Sequence, residues 1–274
     1  MSKYEFLDRR VPIEEGNIAI VQDLSKCKNC SLCRKACAVD MGVFDYYDLT
    51  TNGDHPICIH CGQCASICPF DSINERSEIN EVKAAIADPN KIVVFQTAPA
   101  VRVGLGEEFG MEAGTFVEGK MVAALRKLGG DYVLDTNFGA DMTIMEEASE
   151  LVERVLNGSG ELPQFTSCCP AWVKFAETFY PEFLPNLSTA KSPIAMQAPT
   201  QKTYFAEKMG IDAKQMVAVA VTPCSAKKFE IRRDEMNSSA EYWGAPEMRD
   251  TDYCITTREL AKWLRAEEVN FDEL

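Results

Sequence analysis

One cysteine spacing occurs twice near the amino terminus, and it limits how this part of the chain can fold. The spacing is Cys-x2-Cys-x2-Cys-x3-Cys, and the two copies occupy 27–37 and 58–68. Pro69 follows the second copy directly. In a reducing compartment, cysteines in such a pattern serve as metal ligands or reactive thiols rather than as disulfides. We therefore expect this segment to fold around whatever its thiolates bind.

The tandem copies match the pattern of bacterial two-cluster ferredoxins, in which the fourth cysteine of each run binds the other cluster. One [4Fe–4S] cluster is accordingly assigned to Cys27, Cys30, Cys33 and Cys68. Its partner is assigned to Cys58, Cys61, Cys64 and Cys37. Soft thiolates suit iron–sulfur clusters. Zinc is the alternative, but zinc ribbons usually carry paired Cys-x2-Cys without the third and fourth members.

The charge balance restricts the classes of partner. The chain has 28 basic and 42 acidic residues, a net charge of −14. This argues against nucleic acid and anionic membrane surfaces, which attract basic faces, and it suits a basic redox partner. No run approaches the roughly 18 apolar residues of a membrane span. No apolar stretch follows Arg9 and Arg10, so residues 1–10 are predicted to be a charged exposed segment rather than an export signal. The protein is therefore predicted to be cytoplasmic.

The chain is predicted to form two domains divided at Asp88-Pro89-Asn90. Residues 1–88 would be a small α+β ferredoxin-like domain with two [4Fe–4S] clusters. Residues 89–274 would be an α/β domain with a largely parallel sheet, because strands there alternate with helices. Strands are predicted at 17–21, 92–95, 132–134, 216–221 and 253–255, and helices at 75–86, 115–128, 142–156, about 170–179, 197–209 and from 257.

Local signals refine several of these elements. The 115–128 helix is expected to turn Val117, Met121, Leu125 and Leu128 towards the core. Capping boxes are predicted at its start, from Thr115 and Glu118, and at the last helix, from Thr256 and Glu259. His55 and His60 are predicted to be surface residues, because all eight neighbouring thiolates are already assigned. Cys254 is predicted to be a thiol in the core of a strand.

Two further cysteine motifs lie in the second domain. Thr166-Ser167-Cys168-Cys169-Pro170-Ala171-Trp172 places adjacent cysteines between a predicted strand end and a helix, and Thr222 to Glu230 places Cys224 after another strand. Adjacent cysteines do not readily form a disulfide with each other, so one is expected to hold a metal while the other does chemistry. The carboxyl ends of parallel strands are where α/β folds place their sites.

These two motifs resemble the first and second signature motifs of the iron-only, or [FeFe], hydrogenases. Supporting similarity lies in Thr97 to Arg102, in Asn137 to Asp141 with Met145 to Glu147, and in Asn186 to Pro193. The resemblance implies an active-site H-cluster, a [4Fe–4S] cubane bridged by a cysteine to a two-iron centre. It implies that Cys169 and Cys224 are two of the cubane ligands.

The same resemblance implies roles for other residues. Cys168 would pass protons, and Glu147, Ser188 and Glu150 would continue the path to the surface. Lys227 would hydrogen-bond a cyanide ligand. The residues implied to line that pocket with Lys227 are Ser192, Pro193, Ala98 and Pro99. Without the resemblance, Glu147 and Glu150 on a charged helix would be read as a solvated face.

The chain also departs from the family pattern. Thr222 stands where the family usually has methionine beside the two-iron centre. The third signature motif, which supplies the last two cubane cysteines, is absent, and Cys254 alone follows Cys224. The sequence is therefore expected to be carboxyl-terminally incomplete.

The leading functional hypothesis is a hydrogenase that interconverts protons and electrons with H₂, fed by two ferredoxin clusters. It implies a ferredoxin or similar electron carrier, and maturation proteins that supply the two-iron centre. The alternative is a non-catalytic hydrogenase-like iron–sulfur protein that senses H₂, assembles clusters or carries electrons. A third hypothesis is a ferredoxin fused to an α/β partner domain.

Overall fold

The computed structural model describes residues 9–44, 47, 49, 53 and 55–274. Most of the predicted charged segment at 1–10 therefore lies outside the described residues. Two sheets occur within the described part of the chain. The strands are β1 (Ile20–Gln22), β2 (Ile73–Glu75), β3 (Ile92–Thr97), β4 (Tyr132–Asp135), β5 (Met216–Thr222) and β6 (Tyr253–Thr256).

Helices connect and cover these strands. The α-helical segments are α1 (Leu32–Lys35), α2 (Gln63–Ser66), α3 (Ile79–Ala87), α4 (Val101–Gly104), α5 (Glu118–Lys127), α6 (Asn137–Asn157), α7 (Pro170–Phe179), α8 (Pro193–Thr200), α9 (Ala206–Met209), α10 (Lys227–Glu230), α11 (Ser238–Trp243) and α12 (Thr257–Ala266). A π-helical turn at Gln201–Phe205 joins α8 to α9, so one helix runs from Pro193 to Met209. Further turns lie at Ala36–Asp40, Glu107–Phe109, Pro181–Asn186 and Phe271–Glu273.

The larger sheet has the strand order β4-β3-β5-β6, and every neighbouring pair is parallel. This confirms the predicted α/β layer with a largely parallel sheet. Every residue of β5 is buried, as expected of a strand covered by helices on both faces. Val93, Phe95 and Val219 point to one face, into the core that includes residues of α3, α5 and α12. Val94 lies in the core on the opposite face.

The smaller sheet corrects the prediction that a helix begins at Glu75. Glu75 ends β2, which pairs antiparallel with β1 in the register Ile20 to Glu75. The Glu75 side chain is buried and forms an ion pair with Arg258 of α12. Because of these contacts the helix starts four residues later, at Ile79. The strand predicted at 17–21 is likewise displaced, to Ile20–Gln22.

Of the two predicted capping boxes, one is present and one is wrong. Thr256 accepts from the Glu259 backbone while the Glu259 carboxylate accepts from the Thr256 backbone, so α12 begins as predicted. At α5 the cap residue is Val117, which forms no side-chain cap. There the Thr115 hydroxyl donates to a main-chain oxygen, and Glu118 instead pairs with Arg102 at 2.6 Å.

Two other helices begin earlier than predicted. Helix α6 starts at Asn137 rather than at residue 142, and it ends at Asn157 with Gly158 in the left-handed conformation. The helix predicted from residue 197 starts at Pro193, whose fixed φ suits the first helical position. The predicted core face of α5 is confirmed, since Val117, Met121 and Leu125 are buried and Leu128 packs against them. The boundary between domains at residues 88 and 89 stays a prediction.

The segment before the paired cysteines is not a strand of the sheet. Phe165 forms a single isolated parallel bridge with Leu187, so the expected strand end at 165–169 is wrong. Only the Cys224 motif extends from the carboxyl edge of the sheet, directly after β5. The bridge nevertheless places the paired cysteines beside the segment that carries Ser188.

Candidate iron–sulfur and hydrogenase site

The two cysteine runs fold as repeats of one backbone pattern. In the first run Asn29 and Ser31 have φ angles of 52° and 67°, and in the second run His60 and Gly62 have φ angles of 62° and 76°. These residues occupy equivalent positions. In each run the backbone N–H two residues after the first cysteine points at its sulfur, at 3.4 Å in Asn29 to Cys27 and at 3.3 Å in His60 to Cys58. Such N–H groups stabilise a sulfur that carries negative charge.

The four cysteines predicted to hold the first cluster line one pocket, which Leu32, Phe70 and Ile73 also line. They are Cys27, Cys30, Cys33 and Cys68. The fourth thiol comes from the second run, as the cross-linked pattern of ligands requires. The Val11 backbone donates to the Cys33 sulfur at 3.3 Å. Four convergent thiols among apolar side chains fit a [4Fe–4S] cluster.

The thiols of the second set are half-buried, and the pKa of each is raised. Burial raises the pKa of Cys37 to about 12 and that of Cys58 to about 11. Burial also raises the pKa of Cys61 and Cys64, and the charges of Cys58, Cys61 and Cys37 add to the rise at Cys64. Cys37, Cys58 and Cys61 thus lie within electrostatic reach of Cys64, as does Cys33 of the first set. A half-buried group of thiols that resist ionisation on their own suits a soft metal centre, whose charge displaces the protons.

The hydrogenase-like motifs meet this second set. Cys169 is the cap residue of α7, with Pro170 at the first helical position, and both Cys168 and Cys169 are exposed. The charge of Cys169 acts to raise the pKa of both Cys61 and Cys224, so its sulfur lies within electrostatic reach of each of them. Cys61 and Cys224 also pack against one apolar cluster, formed by Val43, Ile59, Ala171 and Ala226.

Main-chain contacts join the same loops. The Ser225 hydroxyl, next to Cys224, donates to the main-chain oxygen of His60 at 2.8 Å. Gly62 packs so closely on Ser225 that a Cβ atom there would lie 2.4 Å from the Ser225 hydroxyl oxygen. The loop of the second cysteine run is therefore in direct contact with the loop that follows β5.

Lys227 belongs to the second hydrogenase-like motif, and its buried side chain reaches the first. Its ammonium donates to the main-chain oxygen of Cys168 at 2.9 Å and to both carboxylate oxygens of Glu230, at 3.0 and 2.8 Å. Ser192 donates to Glu230 at 3.0 Å and also caps α8, which begins at Pro193. Glu230 is thus a site residue to which the sequence assigned no role. Its position three residues after Lys227 on one helix was the available signal.

The remaining residues of the predicted pocket lie at the end of β3. The Ala98 backbone donates to Val221 at 2.9 Å, and this places Ala98 beside the end of β5, while Pro99 is exposed. Thr222 is buried, and its hydroxyl accepts from the Cys224 backbone at 3.3 Å. Ala98, Thr222 and Cys224 therefore lie at one edge of the sheet.

The structure brings together part of the predicted proton path. Ser188 donates to Glu150 at 2.7 Å, and Arg154 donates to the same carboxylate at 2.7 Å. Although burial acts to raise the pKa of Glu150, the bonds from Ser188, Arg154 and the Thr189 backbone outweigh it and hold the pKa below its ordinary value. Arg154, four residues after Glu150, was not predicted. One carboxylate oxygen of Glu147 is buried without a hydrogen-bond partner among the described residues, so no direct bond carries the path through that atom.

The prediction that His60 lies on the surface is wrong, whereas His55 is exposed as expected. His60 is 3% exposed and stacks on Phe229 with ring centres 4.8 Å apart. Its Nε2 lies 2.8 Å from the Lys174 ammonium. Burial, with the charge of Lys174, lowers the pKa of His60 to about 3. Cys254 is fully buried in β6, which confirms its assignment as a core thiol.

Comparison with known proteins agrees with this geometry. Residues 91–274 match the protein family described as "Iron only hydrogenase large subunit, C-terminal domain", and residues 19–69 match the "4Fe-4S dicluster domain". The chain is 44% identical over 270 residues to the NADP-reducing hydrogenase subunit HndD of Solidesulfovibrio fructosivorans, covering 92% of this chain and 45% of that protein.

A solved structure and a more distant relative complete the comparison. The apo [FeFe]-hydrogenase HydA1 of Chlamydomonas reinhardtii matches with a TM-score of 0.67 and 42% identity, over 72% of this chain and 50% of that one. Cytosolic iron-sulfur assembly component 3 of Bos taurus is 32% identical, over 79% of this chain and 46% of its own length. The chain spans about half the length of these curated relatives. None of the helices in the described residues combines the length and apolar character of a membrane span.

Proposed function

Because the chain belongs to the iron-only hydrogenase family, we propose that it delivers electrons to, and forms part of, a site that interconverts two protons and two electrons with H₂. The observation that carries this proposal is the contact between the second cysteine run and the loop after β5, in which Ser225, next to Cys224, donates to the main-chain oxygen of His60, next to Cys61. Cys169 lies within electrostatic reach of both Cys61 and Cys224. Electrons that enter the clusters of the two cysteine runs would leave them beside the cysteines of the hydrogenase-like motifs, where the reaction consumes them.

The cofactors of this proposal are two [4Fe–4S] clusters and an H-cluster. Cys27, Cys30, Cys33 and Cys68 would hold one ferredoxin cluster, and Cys37, Cys58, Cys61 and Cys64 the other. Cys169 and Cys224 would supply two of the thiolates for the cubane of the H-cluster. The H-cluster, when bound, supplies the iron chemistry at which protons and electrons combine.

The residues of the chain would position and protonate that site. Lys227 is a buried cation, and it would stabilise an anionic ligand by charge and hydrogen bonding. Glu230 accepts from the ammonium, and Ser192 donates to the Glu230 carboxylate and so fixes its position. Ala98, Pro99 and Pro193 would complete the lining of the pocket.

Cys168 would donate and accept protons, since its neighbour Cys169 is engaged as the ligand. Glu147, Ser188 and Glu150 would extend the path, and the direct bond from Ser188 to Glu150 supports its outer part. A relay works where each step is within hydrogen-bond reach. The step between Cys168 and the Ser188–Glu150 pair would pass through Glu147, with water or a side-chain rotation completing the contact.

The proposal implies an electron carrier, such as a ferredoxin, that binds to this acidic protein. It also implies maturation proteins that supply the two-iron centre, and a cytoplasmic site of action. Protons and H₂ would be the substrates.

The test is H₂ turnover by the protein matured under anaerobic conditions, with a reduced dye as electron donor. We expect Cys168→Ser to lose nearly all turnover while it keeps the iron content of the unchanged protein. Cys254→Ala is the control, because that thiol lies in the core of β6, and it should retain turnover. Full activity in Cys168→Ser would rule out the proton-transfer role.

A non-catalytic role is the second candidate. The resemblance to an iron–sulfur assembly component, and Thr222 in place of the usual methionine, favour it. In that role the chain would carry electrons, assemble clusters or sense H₂. Cys168 argues against it, because a protein without proton chemistry needs no free thiol there. Absence of H₂ turnover in fully matured protein with all its iron would favour this candidate.

A further inference from the structure

A lysine and a histidine form a partly buried contact beside the second set of cluster cysteines. Lys174 projects from α7, the helix that begins at Cys169, and its ammonium lies 2.8 Å from His60 Nε2. The thiol of Cys58, the ring of His60 and the carboxylate of Glu14 have atoms within 4.8 Å of one another. The imidazole ring of His60 therefore lies between Lys174, on the helix that begins at Cys169, and Cys58, a predicted ligand of the second cluster.

The neighbours of His60 determine where its proton lies. Asn17 Oδ1 accepts from the Ala19 and Ile20 backbones at 2.9 Å each, which identifies this atom as the oxygen. His60 Nδ1 lies 3.3 Å from that oxygen, so Nδ1 carries the proton and donates it. Nε2 is then the acceptor for the Lys174 ammonium. The ring is neutral and the lysine holds the positive charge.

Surrounding groups hold the lysine in position. Its ammonium lies 4.8 Å from the centre of the Phe229 ring, on which His60 also stacks. Burial, with the charge of Arg233, lowers the pKa of Lys174, and the charges of Glu14, Cys58 and Glu177 act in the opposite direction, towards its charged form. Arg233 is itself paired with Glu177 at 2.6 Å. The contacts with the Phe229 ring and the His60 imidazole thus fix the lysine at this position.

We propose that Lys174 sets the reduction potential of the second [4Fe–4S] cluster, by holding a positive charge against its Cys58 edge through His60. This inference rests on the proposed ligation of that cluster by Cys58. Reduction adds a negative charge to the cluster, and a nearby cation stabilises that charge more than it stabilises the oxidised form. The lysine therefore raises the potential of the cluster that adjoins Cys169 and Cys224. Electrons are then held at the point from which they leave for the hydrogenase-like motifs.

The test is a redox titration of the two clusters, followed by electron paramagnetic resonance, in the 274-residue chain reconstituted with iron and sulfide. In Lys174→Gln we expect one cluster to become harder to reduce by about tenfold, which is about 59 mV for one electron. The other cluster should keep its potential. Lys174→Arg keeps the charge and should restore most of the shift. Lys208→Gln, at an exposed lysine, should change neither potential.

Two outcomes would overturn the inference, namely unchanged potentials in Lys174→Gln and equal shifts of both clusters. If Lys174→Gln loses iron, the potential measured in His60→Gln decides the question. A glutamine side chain cannot bridge Asn17 and Lys174 as the imidazole ring of His60 does. The same cluster should then shift in the same direction, and an unchanged potential in His60→Gln overturns the proposal. The measurement needs no H₂ turnover. Failure of the chain to bind iron would refute the cluster ligation, whereas bound clusters with unshifted potentials would refute only the role of Lys174.

Discussion

The Lys227 ammonium donates a hydrogen bond to the main-chain oxygen of Cys168 over 2.9 Å, and this bond joins the two hydrogenase-like motifs. The motifs lie on different elements, one before α7 and the other after β5. The same ammonium binds Glu230, so a buried ion pair fixes the position of the paired cysteines. Lys227 has a structural role before any ligand is considered.

Lys227→Met should therefore destabilise the fold. The substitution leaves the Glu230 carboxylate buried without its cation, and breaking a buried pair in this way costs about 3–5 kcal/mol. The free energy of unfolding, from urea denaturation, measures the loss. Lys83→Met removes an exposed pair with Glu267 and should have a much smaller effect. Equal losses in the two variants would contradict a special role for the buried pair.

A second prediction concerns the contact between Gly62 and Ser225. Gly62 has a φ of 76°, and a Cβ atom there would lie 2.4 Å from the Ser225 hydroxyl oxygen. Gly62→Ala should thus introduce both backbone strain at this position and a steric clash with Ser225, in the loop that follows β5. Gly16→Ala is the matched control, because Gly16 has a φ of 79° and nothing lies within 4 Å of its Cβ position.

The difference in unfolding free energy between these two glycine variants isolates the clash. We expect Gly62→Ala to be the less stable, and Ser225→Gly to recover part of the loss when combined with it. Neither change should alter the other cluster loop, which carries Asn29 and Ser31. Equal stability of Gly62→Ala and Gly16→Ala would show that the loops do not press on each other in solution.

The predictable parts of this molecule are those that depend on local spacing. Cysteine spacing assigned two sets of thiols, and the alternation of strands and helices predicted the parallel sheet. The capping box at Thr256 was predicted because both of its members lie on one turn. The box at Thr115 was wrong because Glu118 forms an ion pair with Arg102, sixteen residues away in the chain, which no local pattern reports.

Contacts between the cysteine runs and the α/β part of the chain could not be predicted, for the same reason. The sequence predicts a surface position for His60, whereas its burial depends on Phe229 and Lys174, which are distant in sequence. Glu75 was placed in a helix, although pairing with Ile20 makes it part of a strand. Lys227 was assigned a role from the family resemblance alone, and its partner Glu230 emerged only from the packed structure.

The Glu150 carboxylate makes stability depend on pH. Its folded-state pKa lies below the ordinary value of 4.5 despite its burial, because Ser188, Arg154 and Thr189 donate hydrogen bonds to its charged form. A lowered pKa contributes stability that is fully present above 4.5 and is lost as the pH falls through the folded value. Glu150→Gln lacks this contribution. The gap in unfolding free energy between the unchanged chain and Glu150→Gln should therefore narrow as the pH falls from 7 to below 4.5, and a constant gap would contradict the assignment.

Iron content tests how the two cysteine runs share their ligands. The cavity lined by Cys27, Cys30 and Cys33 takes its fourth thiol, Cys68, from the other run. Two clusters held by four thiolates each contain about eight irons, so losing one leaves about four. Cys37→Ala and Cys58→Ala should remove the same cluster, and the double variant should lose no more iron than either single variant. Combining Cys37→Ala with Cys27→Ala should instead remove both clusters, because these two cysteines lie in one run but serve different sites. Cys254→Ala should keep all the iron, and loss of a single cluster in the Cys27 and Cys37 combination would show that each run binds its own cluster.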